Sequence, residues 1–281
     1  MQQGVSVMAK KIMFGNFKGG VGKTTNSVMV SYELAKKGYK TLVIDLDPQA
    51  NSTQILSRTY TLQNHKELVF NKTMMKAIQE ENIEDNIVNI MENLDLLPSY
   101  KDFVNYPDFL EIKFLPTESN YKEKRVGYFS KLIQGLDEKY DFIIMDVPPT
   151  LSIFTDTALY TTDEVVIVLQ TQQRSLDGAE AFMEYLQSVY DKYTSIDFDV
   201  IGILPVLMKN DAIVDNQIIE DAKEDFGEDM IFNNVIKHME RLKRYDRKGI
   251  SDPDKTEKWD VHDKRLHEVY SKVADELIER G

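Results

Sequence analysis

The residues with the clearest chemical potential form a glycine-rich segment, Lys18-Gly19-Gly20-Val21-Gly22-Lys23-Thr24-Thr25. Glycines let the backbone curl until successive N–H groups point at the oxygens of a bound phosphate. A helix that begins directly after such a turn adds the partial positive charge of its N-terminus. In this arrangement Lys23 reaches the β- and γ-phosphates, the Thr24 hydroxyl ligates Mg²⁺, and Thr25 contacts the α-phosphate. The segment therefore predicts a nucleoside triphosphate site.

The loop departs from the common P-loop pattern at one position. That pattern has a glycine five residues before Gly22, where this chain has Phe17, and an additional lysine follows at Lys18. A glycine-rich turn without a ligand is the alternative interpretation. The remaining matches, placed between a predicted strand and a predicted helix, favour phosphate binding.

Carboxylates follow two other predicted strands. Asp45 and Asp47 end the segment 41–47, and Asp146 lies in the segment 140–149. In a doubly wound sheet the C-terminal ends of the strands face the ligand crevice. Carboxylates there hold Mg²⁺ through waters or orient an attacking water. Each one alone is equally compatible with a helix cap or a surface position, but together with the glycine loop they predict one site.

The elements that must position these residues alternate between apolar runs of strand length and amphipathic stretches. Near-continuous apolar strands are typical of a parallel sheet that is covered on both faces. We therefore expect an α/β fold, a doubly wound, mostly parallel sheet with helices on both faces, similar to P-loop NTPases. A helix is predicted over Thr24–Lys37, closed by Gly38. Strands are predicted within 11–17, 41–47, 94–99, 140–149, 164–171 and 199–208.

Three other stretches are less regular. Residues 51–65 are predicted to be a loop or a short helix, 73–90 a series of short helical pieces, and 98–120 a loop-rich excursion. No stretch has the composition of a flexible linker. We therefore interpret residues 1–281 as a single domain.

Composition excludes several classes of protein. The 281 residues include 34 Lys and Arg against 47 Asp and Glu, so a net charge of −13 gives no bulk attraction to nucleic acid. The absence of cysteine excludes disulfides, thiolate zinc sites and iron–sulfur clusters. The first residues lack the apolar core of a secretory signal, and the apolar runs are too short to span a bilayer. A cytoplasmic location is expected.

The segment from residue 237 to residue 248 reverses this charge balance. It has six basic residues against two acidic ones, Glu240 and Asp246. One interpretation is a sequence-independent contact with DNA phosphates. The other is a solvated basic helix paired with acidic neighbours. The basic residues are Lys237, Arg241, Lys243, Arg244, Arg247 and Lys248.

The last segment, Asp260–Arg280, is predicted to be a helix with one apolar stripe, formed by Leu266, Val269, Tyr270, Val273, Leu277 and Ile278. Either this stripe packs on the core or the helix lies on a membrane. Its polar face carries many acidic residues, which anionic lipid would repel, so packing on the core is favoured.

These residues resemble the deviant Walker A ATPases of the ParA/MinD superfamily. KGGVGKTT (18–25) is similar to the signature loop, IDLDPQANST (44–53) to the second motif, and FIIMDVPPTLSIFTDTAL (142–159) to the Walker B and switch II region. NLDLLPS (93–99) and TQQRSLDG (171–178) also resemble recurring segments. The DLDPQ sequence indicates the ParA partition branch. Because the loop begins at Lys18, a small form without an N-terminal helix-turn-helix domain is expected.

The resemblance implies roles for single residues. Lys23 and the backbone of residues 19–22 would bind the phosphates of ATP, Thr24 would bind Mg²⁺, and Asp45 and Asp146 would support the Mg²⁺ shell. Asp47 would position the attacking water. Lys18 would reach the phosphates of a second copy in an ATP-sandwich dimer. The adenine would lie near residues 208–210 and the turn at 236–237, where this sequence departs from the usual motifs.

The resemblance further implies an ATPase that partitions DNA. As an ATP-bound homodimer it would bind nonspecific double-stranded DNA in the nucleoid, and a centromere-binding partner protein would stimulate hydrolysis. The alternative is a MinD-like positioning ATPase acting on a membrane or a protein cargo. An iron–sulfur electron-transfer ATPase is excluded because cysteine is absent. A bacterial tyrosine kinase would need a tyrosine-rich tail, and only Tyr270 lies in the last 22 residues. The intact Lys23, Thr24 and Asp47 argue against an inactive scaffold.

Overall fold

The computed structural model describes residues 8–208, 213–256 and 259–281. Their strands form one eight-stranded sheet in the order β3-β4-β2-β5-β1-β6-β7-β8. All neighbouring strands are parallel except β3 and β4, which pair antiparallel. The expected doubly wound, mostly parallel fold is therefore confirmed. The strands are β1 (Lys10–Gly15), β2 (Thr41–Asp45), β3 (Val88–Met91), β4 (Leu94–Leu97), β5 (Phe142–Asp146), β6 (Glu164–Gln170), β7 (Asp199–Met208) and β8 (Ile236–Lys237).

Helices cover both faces of this sheet. Successive side chains of a strand point to opposite faces, so Met13 packs in one apolar cluster, and Ile12 and Phe14 pack in the other. The first cluster lies under α3 to α9 and the second under α1, α2, α10 and α11. The helices are α1 (Lys23–Lys36), α2 (Asn51–Asn64), α3 (Met74–Gln79), α4 (Tyr106–Lys113), α5 (Tyr121–Val126), α6 (Tyr128–Ile133), α7 (Ile153–Thr161), α8 (Gln173–Lys192), α9 (Ile213–Phe226), α10 (Glu240–Lys248) and α11 (Val261–Arg280).

The strand register brings the predicted carboxylates together. In the β1–β5 pair Phe14 lies opposite Asp146, and in the β2–β5 pair Asp45 lies opposite Asp146. The carboxyl ends of β1, β2 and β5 are therefore neighbours at one edge of the sheet. The glycine-rich loop that follows β1 opens onto this edge.

The structure differs from the sequence expectation in the irregular stretches. The sequence predicts a loop or a short helix over 51–65, but α2 has 14 residues. The Asp45 carboxylate accepts hydrogen bonds from the main-chain N–H and the hydroxyl of Thr53, so a residue outside the segment stabilises its first turn. The stretch 73–90 contains α3 but ends in strand β3, and α4 lies within the expected excursion at 98–120.

The C-terminal helix α11 packs on the core. Leu266, Tyr270, Val273 and Leu277 are buried in the cluster that also contains residues of α1. The Asp260 carboxylate caps the start of α11, and the Asp263 carboxylate accepts the Asp260 N–H in return. In the part of the chain that the structure describes, no helix has the length and apolar character needed to cross a membrane.

Candidate nucleotide site and basic surface

The Asn16 side chain fixes the start of the loop between β1 and α1 through two hydrogen bonds. The Asn16 amide donates to the Val168 carbonyl over 2.9 Å, and the Asn16 side-chain oxygen accepts the Lys18 N–H over 2.8 Å. Gly20 and Gly22 have φ angles of 75° and 92°, a region that favours glycine. No side chain caps the N-terminus of α1. Its first N–H groups therefore stay available to an anion.

The Lys23 side chain folds back onto the main chain of this loop. It is buried, and its Nζ donates to the Lys18 carbonyl oxygen over 3.3 Å. Burial lowers the pKa of Lys23 to about 8, while the carboxylates of Asp146 and Asp47 oppose that shift. A desolvated ammonium group gains from any anion that comes within reach.

Thr24 and Asp146 meet at the end of β5. The Thr24 hydroxyl donates to the Asp146 carboxylate over 3.2 Å, and the Ser52 hydroxyl donates to the other oxygen of Asp146. Asp146 is fully buried, and burial raises its pKa, against the effect of these two hydrogen bonds. The structure thus places Thr24 beside one of the two carboxylates that the sequence predicts to support Mg²⁺.

The two aspartates that follow β2 have different surroundings. Asp47 lines the cavity beside Lys23, its carboxylate accepts the Gln49 N–H, and burial raises its pKa. Asp45 is fully buried, and its oxygens accept from Thr53 and from the Asp47 N–H. Burial and the charge of Asp146 raise the pKa of Asp45. These contacts favour a positioning role for Asp45, which holds Asp47 and the start of α2, and its role in the Mg²⁺ shell stays a prediction.

These side chains surround a cavity of 390 Å³, here called the P-loop cavity. Lys23, Thr24 and Asp47 line it, as their spacing in the sequence predicts. Asn51, Gln54 and Arg58 of α2 also line it, and of these only Asn51 lies within the segment 44–53 that resembles the second motif. Their spacing of three and four residues marks one helix face. This spacing would identify the three residues only if the segment were predicted to be a long helix. Its polar composition does not predict one.

A second cavity, of 210 Å³, adjoins the P-loop cavity and is here called the apolar cavity. Val206 and Leu207 of β7, Ile236 of β8, and Met239 and Leu242 line one part of it. Ile236 belongs to the turn that is predicted to lie near the adenine. Of the other predicted stretch, 208–210, residues 209 and 210 lie outside the described residues.

The site suits a metal ion that arrives with phosphate. Within the described ranges, no three acidic or histidine side chains are grouped so that they could hold a metal. The Thr24 hydroxyl and the carboxylates of Asp47 and Asp146 are hard oxygen donors. Mg²⁺ takes one or two such groups and completes its octahedron with water and phosphate oxygens. The residues present therefore fit Mg²⁺ bound together with a nucleotide.

The Lys18 side chain is held by glutamines at the end of β6 and just before α8. Its Nζ donates to the side-chain oxygens of Gln172 and Gln170, over 2.8 and 3.3 Å. Burial and the nearby Arg174 lower the pKa of Lys18. Lys18 is not one of the described residues that line the P-loop cavity. This geometry leaves the Lys18 charge outside the site of its own chain.

The basic segment is divided by its tertiary contacts. Arg241 is 11% exposed and forms ion pairs with Asp260 and with the fully buried Asp263. Lys243 pairs with Glu240 on the surface. In the described ranges Arg247 and Lys248 are exposed and form no ion pair. Arg241 is therefore occupied in holding α10 to α11, and its role in DNA contact stays a prediction that the geometry does not favour.

Arg244 and Lys237 line a third cavity, of 440 Å³, here called the basic cavity. His238, His262 and Arg265 also line it. His262 and Arg265 belong to α11, so the basic surface extends beyond the segment that charge counting identifies.

The chain is similar in sequence to known proteins. A family model described as an AAA domain matches residues 9–200. The chain is 30% identical to the sporulation initiation inhibitor protein Soj of Bacillus subtilis, over 98% of this chain and 100% of that protein. It is 27% identical to the chromosome-partitioning ATPase Soj of Treponema pallidum, over 86% of this chain and 88% of that protein.

Two similar solved structures support the fold. A variant of Cyanothece McdA in complex with ATP has a TM-score of 0.76 at 20% identity, with 96% of each chain covered. A cobyrinic acid a,c-diamide synthase from Mycobacterium smegmatis with bound ADP and magnesium has a TM-score of 0.73 at 21% identity. Its alignment covers 97% of this chain and 95% of that chain. At these identities the likeness is one of fold.

Proposed function

The chain belongs to the ParA/MinD-type partition ATPases within the AAA-domain family, and from that premise we propose that it is an ATP-operated DNA partition switch. It binds ATP with Mg²⁺, dimerises, and in that form binds nonspecific double-stranded DNA in the cytoplasm, on the nucleoid. A centromere-binding partner protein stimulates hydrolysis and releases the dimer from DNA.

The observation that carries the nucleotide-binding part of this proposal is that the P-loop cavity and the apolar cavity share lining residues. The first offers the uncapped N-terminus of α1 and the buried Lys23, which suit phosphates. The second offers apolar side chains, which suit a base. One nucleotide spans both cavities when its phosphates lie over Gly20 and Gly22.

Hydrolysis depends on charge and on the placement of one water. Lys23 and the N–H groups of the loop stabilise the charge that develops on the phosphoryl oxygens. Mg²⁺, held with Thr24, supplies further neutralisation of that charge. Asp47 lines the same cavity, where its carboxylate accepts a hydrogen bond from the attacking water and orients it.

Lys18 supports a role for a second copy of the chain. The Lys18 ammonium is held by Gln172 and does not line the P-loop cavity of its own chain, so we assign it to the γ-phosphate of a neighbouring molecule. ATP then favours the dimer, and hydrolysis, which removes the γ-phosphate, loosens it. The result is a switch with slow turnover.

DNA contact is proposed for the exposed cations of α10. Arg247 and Lys248 are exposed, and Arg244 and Lys237 line the basic cavity. A dimer would present two such surfaces, so ATP-dependent dimerisation would raise DNA affinity through bivalent binding.

A protein cargo is the second candidate. The net charge of −13 opposes nucleic-acid binding, and two of the six basic residues of the segment are already paired with carboxylates. A positioning ATPase of this kind would dimerise with ATP but would not bind DNA.

The experiment is the molar mass of the chain with no nucleotide, with ADP–Mg²⁺ and with ATP–Mg²⁺, measured by light scattering on a sizing column. We expect dimers with ATP only. Lys18→Ala should abolish them while the ATP affinity of the monomer, measured by calorimetry at protein concentrations below those at which dimers form, changes less than about threefold, because the lysine acts in the partner's site. Lys131→Ala, an exposed lysine on α6, is the charge-matched control. Normal dimers of the Lys18→Ala variant would contradict the proposed role of Lys18.

A further inference from the structure

The P-loop cavity and the apolar cavity share part of their wall. Gly20, Gly22, Thr25 and Asp246 line both. A nucleotide whose phosphates lie in one cavity and whose base lies in the other must place its sugar along this shared wall. Among the four shared residues, Asp246 is the one that carries a charge.

The position of Asp246 is set by two elements distant in sequence. Asp246 lies on α10, where its main-chain oxygen accepts a hydrogen bond from the Arg58 guanidinium of α2. One of its carboxylate oxygens accepts the Thr25 hydroxyl over 3.3 Å. In the ranges that the structure describes, its carboxylate accepts no other hydrogen bond. Burial raises the pKa of Asp246, while the Thr25 hydrogen bond and the Arg58 charge oppose that shift.

Charge decides which part of a nucleotide can lie against this carboxylate. A phosphate would be repelled by it, at a cost that grows in a partly buried site. The base meets the apolar residues of the second cavity. The ribose carries two hydroxyl groups, and hydroxyls donate to carboxylates in strong, charge-assisted hydrogen bonds.

We infer that Asp246 is a specificity-determining residue that accepts hydrogen bonds from the ribose hydroxyls of ATP and so selects ribonucleotides over deoxyribonucleotides. The inference rests on the proposed function, because it takes ATP as the ligand. When the ribose hydroxyls donate to the Asp246 carboxylate, they replace the Thr25 hydroxyl, which then becomes available to the α-phosphate.

The test is a set of affinities measured by calorimetry with Mg²⁺ for ATP, 2′-deoxy-ATP and 2′,3′-dideoxy-ATP. The unmodified chain should bind ATP about tenfold or more tightly than dideoxy-ATP, which cannot donate a hydrogen bond to the charged group, and 2′-deoxy-ATP should bind with an affinity between the two. Asp246→Ala should reduce that ratio to near one by weakening ATP alone. Asp246→Asn, which keeps the shape and one acceptor oxygen, should give an intermediate ratio. Glu240→Ala removes an acidic side chain of the same helix that does not line either cavity, and should leave the ratio unchanged.

Each other outcome is distinct. Equal affinities of the unmodified chain for all three nucleotides would overturn the inference and leave the proposed function standing. Tighter binding of all three by Asp246→Ala would show that the carboxylate faces phosphate, which also overturns it. An unmodified chain that binds none of them would overturn the proposed function and this inference together. Thermal unfolding shows whether both variants are folded. If Asp246→Ala is unfolded, the affinity ratio of Asp246→Asn decides the test.

Discussion

The cleft formed by the P-loop cavity and the apolar cavity differs from the basic segment 237–248 in how its charged residues are held. In the cleft Lys23 follows directly on the turn that contains Gly20 and Gly22, so the local sequence places its main chain at the start of α1. In the basic segment each cation depends on what lies opposite it. Arg241 meets Asp260 and Asp263, whereas Arg247 and Lys248 meet solvent.

This difference separates a charge that is placed to bind a ligand from a charge that stabilises the fold. Lys23 lies in the cleft, where burial lowers its pKa. Burial of a charged group costs stability and is typical of functional sites. Arg241 compensates the buried carboxylate of Asp263 and so stabilises the fold. A local motif therefore predicts a functional residue, while a run of like charges predicts only a set of candidates.

The largest expected effect is that of Lys23→Met. ATP affinity should fall by roughly 100-fold or more, because a charge-assisted contact with phosphate is removed. The free energy of unfolding without ATP should rise by about 1–3 kcal/mol, because the desolvated charge is gone. Calorimetry and urea unfolding measure the two quantities. A variant that loses stability would show that Lys23 is satisfied without a ligand.

The contribution of Lys23 to stability should also depend on pH. The folded-state pKa of Lys23, about 8, lies below the ordinary 10.5, so the unfolded chain binds more protons between these values. This contribution to the stability of the unmodified chain should therefore increase as pH rises from 8 to 10.5. Urea unfolding across that range measures it, and Lys23→Met should lack the increase.

The next effect is expected for Arg241→Ala. It should lower the free energy of unfolding by about 3 kcal/mol, because the buried Asp263 is left without a charged partner. Lys243→Ala, which breaks an exposed pair with Glu240, should cost less than about 1 kcal/mol. Urea unfolding measures both. A similar small cost for the two variants would contradict this division of the basic segment.

The fold and the centre of the cleft could be predicted from the sequence, because both depend on local patterns. Apolar runs mark the core strands, and glycine spacing marks the loop. Arg58 and Asp246 could not be predicted, since they reach the cleft from segments 188 residues apart. The length of helix α2 is underestimated because the Asp45–Thr53 contact that stabilises its first turn is tertiary. The pairing of Arg241 depends on α11, which charge counting within a segment ignores.

The most direct measurement is binding of random-sequence duplex DNA across a salt series, with no nucleotide, with ADP–Mg²⁺ and with ATP–Mg²⁺. The account predicts salt-sensitive binding with ATP only. Arg247→Ala/Lys248→Ala should weaken it by about tenfold or more and reduce the slope of log affinity against log salt by roughly 0.9 for each phosphate that is no longer neutralised. Lys131→Ala/Lys139→Ala, exposed lysines elsewhere on the surface, should change neither. ATP-dependent dimers that bind no DNA at low salt would contradict the account and favour a protein cargo.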